Sequence, residues 1–289
     1  MQVLDKKYQE ILQNILTNGF LEKNRTGIPA YTIPSAYIIH DMSEGFPLLT
    51  IRKMPYKSIR IELEGFIKGI SSKKWYKERG CKFWDEWANP KKVPYSNDTI
   101  TKQKMLEEDD LGIIYGNNWR NFNDPRNVNQ LNGVDQLKSI VDTLKTNTSD
   151  RRMLCLSWNP LTLEYAALPA CHALWRVMVI NNKLHLSWYQ RSVDFILGFS
   201  SNMASYATLL ELLSLETNIP VGTISGHLDC VHVYENHLEG ARELLSRNPT
   251  GNLPTIKTDN FKSIYDWQYS DTILLDYEPL PSVKFDVAV

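Results

Sequence analysis

Leu4, Tyr8, Ile11, Leu12, Ile15 and Leu16 recur at helical spacing, and Gly19 stands where that helix would stop. Asn24-Arg25-Thr26-Gly27 reads as a loop, and the run from Tyr31 to Ile39 as a strand. Helical spacing returns from Ser58 to Lys68, with Ile59, Leu63 and Phe66 inward and Glu62 and Glu64 on the same segment. Val134, Leu137, Ile140, Val141 and Leu144 predict another amphipathic helix, followed by a strand from Met153 to Trp158. Ala173 to Ile180 and Lys183 to Tyr189 pair naturally as a hairpin through Asn181-Asn182. Asn202 to Thr217 is apolar around most of its circumference, so a central buried helix is expected there. Strands and helices mix without βαβ regularity or internal repeats, which predicts an α+β fold.

The polar stretch Asn89 to Asp110 is charged and broken by Pro90 and Pro94, as a surface insertion would be. It is expected to interrupt one domain spanning 1–289, a length able to bury a sizeable core. With 32 basic and 33 acidic side chains, the net charge of -1 disfavours a general nucleic-acid surface and leaves room for a local anion site. No apolar run approaches a membrane span, and Met1-Gln2-Val3 does not begin a signal peptide. The four cysteines are scattered, so a reduced, cytoplasmic chain is expected, in which the sequons at Asn97 and Asn147 carry no sugar. Phosphate loops of the GxGxxG or GxxxxGK[ST] type are absent from the sequence.

Candidate chemistry centres on Cys171, in Leu168-Pro169-Ala170-Cys171-His172. A thiol needs a positive neighbour to become a usable nucleophile, and Gln190-Arg191-Ser192-Val193-Asp194 offers a guanidinium, a hydroxyl and a carboxylate in one run. Arg25, Arg151, Arg152 and Arg191, with Ser192, are natural phosphate ligands because guanidinium forks match phosphate oxygens. Arg151-Arg152 directly precede an apolar strand, so one of the pair is expected to point into a buried region. Asn202, on an otherwise apolar helix, is an amide that needs partners: either a structural core residue or a reader of a base edge. Trp84-Asp85-Glu86-Trp87 reads as aromatic core or as a stacking wall for a flat ligand. Cys230, His232 and His237 match no structural zinc spacing, and a metal is not expected.

These motifs follow one another in the order found in thymidylate synthases. Arg25-Thr26-Gly27, Gly45-Phe46-Pro47-Leu48, Trp84-Asp85-Glu86-Trp87, Tyr115-Gly116, Trp119-Arg120 and Asp150-Arg151-Arg152 lie in the first part of the chain. Cys171-His172, the Gln190–Asp194 run, Asn202-x-Ala204-Ser205-Tyr206-Ala207, His232-x-Tyr234 and Val287-Ala288-Val289 complete the series. The chain resembles that family from near residue 20 to its last residue.

The resemblance implies a homodimer built on a mixed sheet, acting on dUMP with 5,10-methylenetetrahydrofolate as co-substrate and no metal. Cys171 looks like the nucleophile that adds to carbon 6 of uracil. Arg25, Arg191 and Ser192 resemble the phosphate ligands, joined by Arg151 and Arg152 from the other subunit. Asn202 resembles the base reader, and His232 and Tyr234 the ribose ligands. Glu62 and Tyr115 align with the groups that move protons. Trp84, Trp87, Asp194, Leu197, Gly198 and Val289 align with residues that line or close over the folate.

Some positions depart from the family pattern. Ala170 replaces the proline before the cysteine, Ser201 a phenylalanine facing the folate, and Gly65 an aromatic residue, while Arg176 stands where glutamine is usual. Leu228-Asp229-Cys230-Val231 shifts the aspartate that precedes the ribose histidine. Such changes would loosen or wet the folate side, which is what a nucleotide hydroxymethylase requires, since it ends the same chemistry with water. Trp84 and Val289 favour hydride transfer. A non-catalytic nucleotide- or RNA-binding relative is disfavoured by the presence of Cys171, Glu62, Tyr115 and Arg191 together.

Overall fold

The structure, a computed structural model, describes residues 4–96, 98–124 and 132–287. Met1-Gln2-Val3, Asn97 and Val289, all singled out in the sequence, lie outside the described residues. The first helix, α1 (Leu4–Asn18), buries Leu4, Tyr8, Leu12 and Ile15 along one stripe, and Gly19 N donates to Ile15 O at its end. Strands β1 (Phe20–Glu22) and β2 (Ala30–Asp41) follow, then α2 (Tyr56–Lys68) and the short α3 (Lys73–Glu78). Gly69, at φ 69°, ends α2 by donating to Phe66 O.

Helices α4 (Thr99–Glu107), α5 (Tyr115–Arg120) and α6 (Gln136–Thr146) lead into β3 (Leu154–Leu156). Val134, expected within a helix, instead pairs with Phe122 and is exposed, because Asp135 caps α6 by accepting from Lys138 N. Strand β3 is also shorter than expected, since both Ser157 N and Trp158 N turn to Ala173 O.

The hairpin β4 (His172–Ile180) and β5 (Lys183–Gln190) turns at Asn181 and Asn182, with φ of 50° and 55°. Two consecutive left-handed residues match the right-handed twist of the strands, which is why asparagine suits both positions. After β6 (Val193–Asp194) come α7 (Gly198–Thr217), β7 (Val221–Tyr234) and α8 (Leu238–Ser246). A separate antiparallel pair, β8 (Thr255–Thr258) and β9 (Thr272–Leu275), precedes the C-terminal segment.

The main sheet runs β1-β2-β7-β5-β4-β3, with β6 also on β7. Pairing is antiparallel except where β7 meets β5 and β6, so the sheet is mixed and the fold is α+β. One face carries Trp175, Val177, Leu186, Trp188 and Ile224 into a core shared with α2 and α7. Helix α7 is buried around much of its circumference, as its composition requires. The other face holds Tyr37, Ile39 and Ile180, each more than two-fifths exposed, with Arg176 and Met178 half-buried beside them.

The stretch 89–110 does more than cover the surface. Val93 and Met105 form a small satellite core with Ala88. The buried Lys73 ammonium donates to the carbonyls of Trp87 and Met105, fastening this stretch to α3. Among the described residues no helix is long and apolar enough to cross a membrane.

Candidate active site

Two adjacent breaks in the sheet build the site. Strand β7 pairs with Gln190 at Leu228 and with Val193 at Val231, so Arg191-Ser192 and Asp229-Cys230 fall in the gap between. Cys230 takes a positive φ of 45°, a conformation rare for a residue with a side chain. The kink lets the Arg191 and Ser192 side chains line a cavity of about 1100 Å³ together with Arg25, Asp194, Cys230, His232 and Tyr234.

Cys171 forms part of this cavity and also of a smaller one of about 190 Å³. Glu62, Trp84, Trp87, Tyr115, Gly198 and Asn202 line the smaller cavity, which Ser192 and Asp194 share. The thiol therefore stands where an arginine-lined chamber meets a chamber walled by aromatic rings, an amide and two carboxylates.

Arg191 is anchored by its neighbours. Its Nε donates to Ala170 O at 2.8 Å and one Nη to Pro169 O at 3.1 Å, while the guanidinium lies over Trp158. The same Nη lies 4.0 Å from Cys171 Sγ. Burial pushes the Cys171 thiol up, and Arg191 and Arg25 pull it partly back. Arg25 itself is exposed, its guanidinium resting over Trp87 and Tyr95.

The other wall is set by burial. Glu62, on α2, is raised by desolvation to about 7, against a smaller opposing pull from the Trp84 indole. That indole N–H is buried with no geometrically complete hydrogen bond, so burial dominates at Glu62. A carboxyl at this value can both donate and accept a proton near neutrality. Tyr115 is buried, its hydroxyl accepting from Cys171 N at 2.8 Å and its ring stacked on His172 at 3.9 Å. Burial holds His172 down to about 3, hence neutral, with Nδ1 at 2.6 Å from Tyr206 Oη.

Asn202 is half-buried, and its Nδ2 donates to Gln190 Oε1 at 3.1 Å. Asp194 accepts from Ile196 N and Leu197 N, fixing the entry to α7 and placing Leu197 directly before Gly198. His232 Nδ1 lies 2.7 Å from Cys230 O, and since a carbonyl only accepts, that nitrogen carries the proton. Sequence reasoning gave no role to Trp158, Gln190 or Tyr95. Trp158 and Tyr95 meet Arg191 and Arg25 from distant parts of the chain, so no local signal marks them, whereas Gln190 opens the Gln190–Asp194 run and bonds nearby residues.

Arg151 and Arg152 are not brought to this site. Both are exposed, and neither points into a buried region as expected from their position before a strand. Met153 takes the inward place instead, and Arg152 forms a two-pronged pair with Asp150, whose carboxyl it holds down to about 2.

Several positions that depart from the family pattern have partners in the structure. A Cβ on Gly65 would meet the Tyr76 ring at 2.3 Å, so Tyr76 occupies the volume left by the missing aromatic. Ser201 Oγ donates to Leu197 O, and the buried Ser200 Oγ accepts from Arg52 at 3.0 Å. Cys230 and His232 line the larger cavity, whereas His237 is buried against Asp286 O. Among the described residues no cluster of His, Cys, Asp and Glu could hold a metal.

Comparison with known proteins accords with this geometry. The thymidylate synthase family model matches residues 6–289. The chain is 36% identical to the thymidylate synthase of Malacoplasma penetrans over 298 aligned positions, covering 98% of this chain and all of that protein. It is likewise 36% identical to the thymidylate synthase of Mycoplasma pneumoniae, with 98% of this chain and all of that protein covered. The chain belongs to the thymidylate synthase family of folate-dependent methyltransferases.

Proposed function

We propose that this protein converts dUMP to dTMP by reductive methylation, with 5,10-methylenetetrahydrofolate as one-carbon donor and reductant and dihydrofolate as by-product. The observation that carries the reading is the Cys171 thiol at the junction of the two cavities, with Arg191 on one side and Glu62, Tyr115 and Asn202 on the other. The larger cavity suits a nucleotide monophosphate: Arg25, Arg191 and Ser192 supply donors for the phosphate, and His232 and Tyr234 reach the ribose. Asn202 presents an amide that can both donate to and accept from a uracil edge.

Cys171 adds as thiolate to carbon 6, which makes carbon 5 a nucleophile; a new C–S bond forms and the ring π bond shifts toward the carbonyl. The aromatic walls at Trp84 and Trp87, with the Asp194 carboxylate, suit a flat pterin, which supplies the methylene group and then the hydride. Glu62 moves protons at the base, and Tyr115 assists removal of the carbon 5 proton before Cys171 leaves.

The exposed apolar positions on the open sheet face, Tyr37, Ile39 and Ile180, support a second copy docking there. Arg151 and Arg152, exposed and outside both cavities, would then complete the phosphate site of the partner. The four free thiols suit the reducing cytoplasm, where we place the reaction.

Methylation is favoured over hydroxymethylation because the Ser200 and Ser201 hydroxyls are engaged by Arg52 and Leu197 O rather than offered to water. The test is a dual readout on purified protein with dUMP and methylenetetrahydrofolate. Dihydrofolate absorbance rising in step with dTMP mass is expected. Hydroxymethyl-dUMP without dihydrofolate would assign the water-terminated reaction instead.

A further inference from the structure

The segment from Tyr277 to Val287 has no helix or strand, and side chains of the body hold it in place. Tyr277 Oη donates to Leu49 O at 2.8 Å, and Leu280 N to Thr50 O at 2.8 Å. Towards its end, Phe285 fills a slot on α8. A Cβ at Gly240 would lie 2.4 Å from the Phe285 ring, so only glycine leaves room for it. The His237 ring meets Phe285 edge-on at 5.2 Å, and its Nε2 lies 2.6 Å from Asp286 O. The Arg52 guanidinium lies over the same ring at 5.5 Å.

The two residues flanking Phe285 lead to different walls of the site. His237 contacts the Tyr234 ring edge-on at 5.8 Å, and Tyr234 lines the larger cavity. Arg52 donates to Ile196 O and to Ser200 Oγ at the start of α7, the turn that carries Gly198 and Asn202. His237 Nδ1 and Arg52 Nε are both buried without a hydrogen-bond partner. The imidazole and the guanidinium thus keep their remaining hydrogen bonds on one edge and are packed on the other by what lies around them, Phe285 included.

We propose that Phe285 is a positioning residue: seated over Gly240, it holds the C-terminal segment in register with the nucleotide cavity through His237 and with the start of α7 through Arg52. Its kinetic consequence rests on the reaction proposed above, whereas the seat itself does not. Removing the ring frees the segment and unlinks it from both walls, while the ligands of the nucleotide stay in place. A mere structural plug would behave differently, lowering stability and every kinetic step alike.

The experiment uses the full chain and the variants Phe285→Ala, which empties the slot, Gly240→Val, which fills it, and Phe285→Leu as the conservative control. Hydrogen exchange over residues 277–287 is followed with and without dUMP, beside dUMP affinity and steady-state kinetics. Phe285→Ala and Gly240→Val should exchange faster in this segment, and dUMP should slow its exchange in the parent only. The KM for methylenetetrahydrofolate should rise about tenfold while the dUMP Kd stays within about twofold, with Phe285→Leu close to the parent. Unchanged exchange in both variants, or a loss of dUMP affinity and of thermal stability alongside the raised KM, would overturn the proposal. Exchange without ligand needs no turnover. A parent protein that makes no dTMP thus refutes the proposed reaction while the seat is still judged.

Discussion

The backbone N–H of Cys171 donates to the hydroxyl of Tyr115 across 2.8 Å, so the tyrosine holds the main chain of Cys171 as well as lining the smaller cavity. Replacing Tyr115 with Phe leaves that N–H without its acceptor, which costs about 1–3 kcal/mol. Turnover should fall by about 10²-fold or more, with the KM for dUMP little changed, because the hydroxyl acts on a proton in flight rather than on binding. Equal loss in affinity and turnover would show that the bond only positions Cys171.

Glu62 links activity and stability to pH. Its carboxyl, raised by burial from the usual 4.5 to about 7, binds a proton more tightly in the folded than in the unfolded chain. The unfolded state thus holds fewer protons between these values, and this group's contribution to stability falls as pH rises through that window. Glu62→Gln should flatten this part of a Tm-versus-pH curve while lowering kcat by about 10²–10⁴-fold. A Tm profile identical to the parent would refute the assigned shift.

The thiols should react in an unexpected order. Burial pushes Cys81, Cys155 and Cys171 up, whereas hydrogen bonding from His232 brings the exposed Cys230 down. Iodoacetamide should label Cys230 before Cys171 in the free protein, as peptide mapping by mass spectrometry would show. Because Cys230 lines the same cavity as Arg191, bound dUMP should slow its labelling.

Gly65 and Tyr76 make a packing pair that replaces a missing aromatic. Gly65→Ala would drive a Cβ to 2.3 Å from the Tyr76 ring. Overpacking of this kind costs about 1–3 kcal/mol, measurable by urea unfolding. Tyr76→Leu in the same chain should recover part of the loss; additive destabilisation would mean that the two side chains do not compete for one volume.

The exposed Arg151 and Arg152 give the proposed dimer a test of its own. A chain with both changed to Ala and a chain with Cys171→Ala should each be inactive as homodimers. After mixing and subunit exchange, half the dimers would hold one intact site, returning about a quarter of the parental activity. No recovery despite exchange would leave each site within one chain.

Much of this architecture is legible in the order of residues, because local chemistry dictates it. The stripe Leu4–Tyr8–Leu12–Ile15 has to be a helix with one buried face, and Asn181-Asn182 tolerates the left-handed pair that a tight hairpin needs. Helix α7 is too apolar to lie anywhere but the centre. Cys171, Arg191 and Asn202 stand out as candidates by type and neighbours, and the structure gathers them around two adjoining cavities. What no window along the chain contains is contact between distant segments. Tyr76 filling the space at Gly65, Arg52 engaging Ser200, Arg25 resting on Tyr95 and Phe285 seated over Gly240 each join residues whose meeting is decided by packing. The same holds for Arg151 and Arg152: their sequence position suggested burial, but Met153 took the inward place and left both in the open. Periodicity and residue type act over a few positions and so are written in the sequence. The cavities, the raised proton affinity of Glu62 and the exposure of two arginines depend on which surfaces exclude water, and only the tertiary structure decides that.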